Sequence, residues 1–144
     1  MVLTAPEQVA AGLDVQPVLA SLRYRQTWGW LPGMTHDWCR MQTEVSLDDP
    51  PVAALLTPLL PAPVVRPIQA KILYPYGILP PHSDAGRIAL HVVLMTNEGA
   101  TFTVRGYEWH LPEGTAWMIP TSQIHTAVNN GRTPRIHLVA EWDA

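Results

Sequence analysis

Cysteine is nearly absent from this 144-residue chain: Cys39 stands alone, so no intramolecular disulfide can form and cysteine-rich zinc sites are excluded. Basic runs are missing as well. Nine Lys and Arg against twelve Asp and Glu leave a formal charge of −3, which speaks against binding nucleic acid through a phosphate-neutralising patch. Prolines interrupt every apolar run before it reaches the length of a membrane span. Met1 to Ala20 hold no basic segment followed by an apolar core, so no secretory signal is expected. Repeats and low-complexity tracts are also lacking. The expectation is a soluble, cytoplasmic protein with one domain over 1–144, 47% hydrophobic and 15% charged.

What the chain has in quantity is punctuation. Fifteen prolines and nine glycines oppose a helical bundle, because proline breaks helix interiors. Turn signals recur at Pro75-Tyr76-Gly77, Asp84-Ala85-Gly86, Thr96 to Gly99, Arg105-Gly106, Pro112 to Gly114 and Asn129 to Gly131. The runs between them are rich in Val, Ile, Thr, Leu and aromatics. They read as strands near 67–74, 78–83, 88–95, 100–105, 107–111, 115–119, 123–128 and 135–142. Their number and even spacing predict an all-β core, a barrel or two-sheet jelly roll, over 66–144. Residues 1–65 read as support. Pro6 to Arg25 predicts one or two short helices, Met41 to Leu47 alternates as a half-buried strand, and Asp49-Pro50 opens a short helix toward Leu60. This part is expected to pack on the barrel and wall its mouth.

Six histidines are the first candidates for chemistry. His82-Ser83-Asp84 is an H-x-D triplet that follows a strand-like segment stiffened by Pro80-Pro81. In extended backbone, residues two apart point to the same side, so His82 and Asp84 can share one metal ion. His125, on a late strand, is the natural third ligand. Two imidazoles and one carboxylate leave three open positions, which suits non-haem Fe(II).

Arg135 strengthens this reading. It stands ten residues after His125, across the Asn129-Asn130-Gly131 turn, and a hairpin of that length would return it to the depth of His125. Alternation puts Arg135, His137 and Val139 on one face of their strand, against an apolar face of Ile136, Leu138, Ala140 and Trp142. A guanidinium directed into a barrel needs an anion. That anion is either a structural carboxylate, Glu141 or Glu113, or the carboxylate of a co-substrate held bidentately.

The stretch Leu73 to Asp84, the Leu90-His91 strand, Glu113-Gly114, Ser122 to Asn130 and Arg135-Ile136-His137-Leu138 together resemble aspartyl/asparaginyl β-hydroxylase-like proteins in order and spacing. The resemblance covers about residues 67 to 143. It implies a double-stranded β-helix, the cupin-like jelly roll, with short N-terminal helices, and an Fe(II)- and 2-oxoglutarate-dependent oxygenase (hydroxylase). His82, Asp84 and His125 fall on the family's metal ligands, and Arg135 on the arginine that grips the 2-oxoglutarate C5 carboxylate. The family's Arg-x-His pair reads here as Ala89-Leu90-His91, so an arginine is missing and Arg87, on the same face, is its nearest replacement. His91 is placed with the co-substrate, and Arg87 and His137 with the substrate. Dioxygen and an amino acid, peptide residue or natural-product-type small molecule are the implied partners. Two rivals remain at this point: a cupin-like binding or regulatory protein without turnover, and a metal-dependent cupin that does not use 2-oxoglutarate.

Overall fold

The computed structural model describes residues 3–23, the backbone of 29–30, and residues 40–144; His36 and Cys39 lie outside the described residues. In chain order the elements are β1 (Glu7–Ala10), α1 (Gln16–Arg23), β2 (Gly29–Trp30), β3 (Arg40–Val45) and α2 (Pro50–Leu56), the last running into a 3-10 turn at Thr57–Leu59. There follow β4 (Ile68–Leu73), β5 (Ile78–His82), β6 (Arg87–Met95), β7 (Ala100–Val104), β8 (Tyr107–Trp109), β9 (Ala116–Ile119), β10 (His125–Asn129) and β11 (Arg135–Asp143). All eight strands expected after residue 66 are present. They form two antiparallel sheets, a seven-stranded one ordered β1-β9-β6-β11-β4-β3-β2 and a four-stranded one ordered β5-β10-β7-β8. This is the double-stranded β-helix, or jelly roll, with short N-terminal helices.

Two cores follow from the alternation of side chains across strands. Leu73, Val93, Phe102, Val104, Trp117, Ile119 and Ala127, drawn from both sheets, form an inner core. On the back of the large sheet, Ile68, Ala70, Leu90, Val92, Leu94, Leu138, Ala140 and Trp142 pack against Val18 and Leu22 of α1 and Val52, Leu55 and Leu56 of α2. A helix of seven or eight residues is marginal alone. Burying each such Val or Leu contributes roughly 1.5–3 kcal/mol, and that packing is what holds α1 and α2. The buried faces of β6 and β11 are therefore apolar outward, and the polar His91, Arg135 and His137 all turn to the interior between the sheets.

Two expectations need correction. Of the one or two helices expected over Pro6 to Arg25, the described residues hold one, and Glu7–Ala10 is instead a strand that pairs with β9 at the edge of the large sheet. Glu7, Gln8 and Val9 are exposed and offer no apolar stripe for a helix, whereas the ladder satisfies their backbone. The second concerns His125 and Arg135. They do not share a hairpin, because β10 pairs with β5 and β7 while β11 pairs with β4 and β6. The Asn129–Gly131 turn crosses from one sheet to the other, so the two residues face each other from opposite walls. Among the described residues, the N-terminal part reaches the barrel mouth through β3, where Arg40 and Met41 line the interior.

Asn129 holds that crossing in place. Fully buried, it donates from Nδ2 to Leu73 O and Thr133 O, both at 2.9 Å, and its Oδ1 accepts from Gly131 N and Asn97 Nδ2. A Cβ at Gly131 would run into the Asn97 amide, so this turn has room only for glycine. Asn129→Ala removes these four hydrogen bonds, the buried one to Leu73 O among them, and is expected to destabilise the fold by roughly 3 kcal/mol. Urea unfolding should show a lower midpoint at unchanged m. A shift equivalent to less than about 0.5 kcal/mol would show that the crossing does not depend on this side chain.

Candidate metal centre

The register of the small sheet makes the first pair. β5 lies at its edge, the ladder with β10 is irregular beside Pro80 and Pro81, and His82 stands directly opposite His125 on β10. Paired residues share a face, and the two imidazole centroids are 4.2 Å apart. Just beyond β5, Asp84 is anchored by its own N–H to Thr121 O at 2.8 Å. Its Oδ2 lies 3.8 Å from His82 Nε2 and 3.7 Å from His125 Nε2. The three ligand atoms all fall within 4.8 Å of one another.

The hydrogen bonds on the far side of each ring decide what these nitrogens can do. His82 Nδ1 meets Pro80 O at 2.8 Å and His125 Nδ1 meets Gln123 O at 2.9 Å. A carbonyl oxygen only accepts, so each Nδ1 carries the proton and each Nε2 presents a lone pair toward Asp84. Burial pulls the His125 imidazole below its usual range, with the charges of His82 and Lys71 adding to this against Gln123 O and Asp84, so it stays neutral and able to ligate. Two oriented imidazoles and a carboxylate around one point fit a divalent transition metal.

A cavity of about 330 Å³ opens in front of this cluster, lined also by Lys71, His91, Phe102, Arg135 and Glu141. Arg135 is 8% exposed, forms no ion pair with any described residue, and its buried Nε has no hydrogen-bond partner. Burial, with the charge of Arg40, pushes its guanidinium down to about 10. Neither carboxylate considered for it serves: Glu113 is exposed, and Glu141 faces Arg87 at 3.2 Å and Lys71 at 3.9 Å.

The remaining expected residues divide. His91 lines the cavity, with Phe102 edge-on at 5.7 Å and Phe102 in turn stacked at 5.9 Å on His125. His137 does not line it; it stands behind His91, their Nδ1 atoms 3.0 Å apart, beside a small second recess. Arg87 reaches the rim, where its Nη1 donates to Glu141 Oε2, so its charge is already met. Lys71 was not singled out from the sequence, and Glu141 only as a possible partner of Arg135. Gln69 and Lys71 alternate with Ile68 and Ala70 on β4, and that alternation was the available signal. Two indoles are tied into the structure: Trp117 donates to Thr115 Oγ1 and Trp142 to Pro63 O.

Fold and cluster together define a jelly-roll protein with a His-Asp-His cluster that could hold a metal ion. Residues 26–143 match the family described as aspartyl/asparaginyl β-hydroxylase, and the chain belongs to that family. Part of it is 33% identical over 69 residues to the L-proline cis-4-hydroxylase of Rhizobium meliloti (strain 1021), a match covering 44% of this chain and 25% of that protein. The match therefore spans about a quarter of that relative's length. HygX from Streptomyces hygroscopicus, solved with nickel and 2-oxoglutarate bound, superposes with a TM-score of 0.72 at 11% identity over 97% of this chain and 83% of its own. The non-haem α-ketoglutarate-dependent epimerase SnoN from nogalamycin biosynthesis gives 0.69 at 16% identity over 97% and 78%. At such identities these two speak for the fold. No described helix is long and apolar enough to cross a membrane.

Proposed function

We propose that the protein is an Fe(II)- and 2-oxoglutarate-dependent oxygenase that hydroxylates a C–H bond of an amino acid, a peptide residue or a small natural-product-type molecule. The observation that carries this reading is Arg135. A buried guanidinium without a partner among the described residues opens onto the same cavity as His82, Asp84 and His125, and such a charge needs an anion. A dicarboxylic 2-oxo acid answers both features, one end at the metal and the far carboxylate on the guanidinium fork. Family membership and the hydroxylase relative support the same conclusion.

In this reading His82, Asp84 and His125 would hold the iron. Bound there, it would supply the oxidation chemistry by which 2-oxoglutarate and dioxygen give succinate, CO₂ and one oxygen atom inserted into a substrate C–H bond. The chain's own part is orientation. Arg135 fixes the far carboxylate, Phe102 spaces His91 from His125, and the wall between the sheets keeps water from the reacting centre. Arg87 and Glu141 at the rim meet the substrate as an ion pair, so a substrate carrying both charges suits them better than a simple anion.

Succinate release tests the proposal. Protein incubated with Fe(II), ascorbate and 2-oxoglutarate is expected to form succinate slowly on its own, and faster with a true acceptor among amino acids and short peptides. Binding of 2-oxoglutarate with no succinate under any acceptor would favour a regulatory cupin. Metal binding without 2-oxoglutarate affinity would favour a cupin of different chemistry.

A further inference from the structure

His91 and His137 meet nitrogen to nitrogen inside the barrel, their Nδ1 atoms 3.0 Å apart and their rings nearly perpendicular. A hydrogen bond between two imidazole nitrogens holds one proton, so one ring donates and the other accepts. Burial, and then the charge of Arg135, hold both rings well below their usual range, so both are neutral. A neutral ring has a single N–H, and the choice made at the shared Nδ1 pair therefore fixes both Nε2 atoms. Were His91 the donor, its Nε2 would be a bare lone pair. With His137 as donor, His91 keeps its proton on Nε2.

The surroundings select between these. His91 lines the main cavity, and with Nδ1 taken by His137 its Nε2 is the ring nitrogen left for a ligand there. Arg135, on the same inner face of the large sheet, makes that ligand an anion. A lone pair turned to an anion is repelled, whereas an N–H binds it. Register explains the pairing: His91 lies opposite Val139 and His137 opposite Val93, so the two are diagonal neighbours on one face of β6 and β11.

We infer that His137 is a positioning residue: it donates its Nδ1–H to His91 and so holds His91 as the Nε2–H tautomer, a neutral donor to the anion that Arg135 binds. The identity of that anion rests on the proposed 2-oxo acid co-substrate; the tautomer does not.

Long-range ¹H–¹⁵N correlation NMR on metal-free, ¹⁵N-histidine-labelled protein reads both tautomers directly. The expected spectrum has His91 protonated at Nε2 and His137 at Nδ1. His91 protonated at Nδ1, or either ring cationic at neutral pH, overturns the inference. Calorimetric titration of the zinc-loaded protein with 2-oxoglutarate reads the consequence. His137→Gln keeps an N–H donor and is expected to bind within about threefold of wild type, whereas His137→Leu should bind roughly tenfold more weakly at equal zinc content. Unchanged affinity in the leucine variant would remove His137 from this role. Should that variant fail to fold, the wild-type spectrum and the glutamine variant still decide. A wild type that binds no 2-oxoglutarate would count against the co-substrate, while the tautomers would still stand or fall on the spectrum.

Discussion

Replacing His125 by alanine is expected to lower bound Fe(II) from about one equivalent to below about a tenth after anaerobic reconstitution and dialysis. The effect is large because His125 is the most enclosed ligand, 4% exposed, with its Nδ1–H tied to Gln123 O and its ring braced by Phe102. Its Nε2 lone pair is therefore oriented before any ion arrives, and loss of an oriented ligand costs more than loss of a mobile one. His82→Ala should behave similarly, since the two stand opposite each other across β5 and β10. Asp84→Ala is expected to lose less, as two preoriented imidazoles remain. Thermal unfolding of the metal-free variants separates ligand loss from misfolding. Equal iron in wild type and both histidine variants, with cooperative unfolding in each, would sink the assignment.

Two of the three residues of the His-Asp-His cluster were legible together because they are local. His82 and Asp84 lie two apart after a proline-stiffened strand, and turn residues mark β10, so the pattern of the chain already puts His125 on a strand. Strand pairing was not legible. A period of two says which side chains share a face, and it is silent about which strand lies alongside. For that reason β10 and β11 read as a hairpin, although they belong to facing sheets. The same silence hid the strand Glu7–Ala10, whose signal is the free edge of β9 and not any pattern of its own. It also hid the place of His137. Alternation correctly turned His137 inward with Arg135, but only the diagonal register of β6 and β11 sets it behind His91 and away from the cavity lining. Glu141 likewise shares the inward face of β11, and long-range pairing to Arg87 and Lys71 is what removes it as a partner for Arg135.

Arg135→Met is expected to move stability and co-substrate binding in opposite directions. The guanidinium is held down to about 10, chiefly by burial, which corresponds to roughly 3 kcal/mol opposing the charged form in the fold. The sign follows from linkage: a base whose folded pKa is depressed costs stability at every pH below the folded value, and the cost fades only as pH rises from about 10 toward the ordinary arginine range. Near neutral pH the full cost is present, so an apolar side chain of similar length should raise the melting temperature of the ligand-free protein by roughly 3–8 °C. The same change removes a charge-assisted bidentate contact worth about 1.5–3 kcal/mol, so 2-oxoglutarate should bind about tenfold to a hundredfold more weakly while iron affinity stays nearly unchanged. Arg135→Lys should recover only part of the affinity, because an ammonium lacks the planar fork. Added 2-oxoglutarate should therefore stabilise wild type against heat and leave the methionine variant almost unaffected. A methionine variant that melts lower and binds 2-oxoglutarate as wild type does would make Arg135 a structural residue, and the oxygenase reading would lose the observation that carries it.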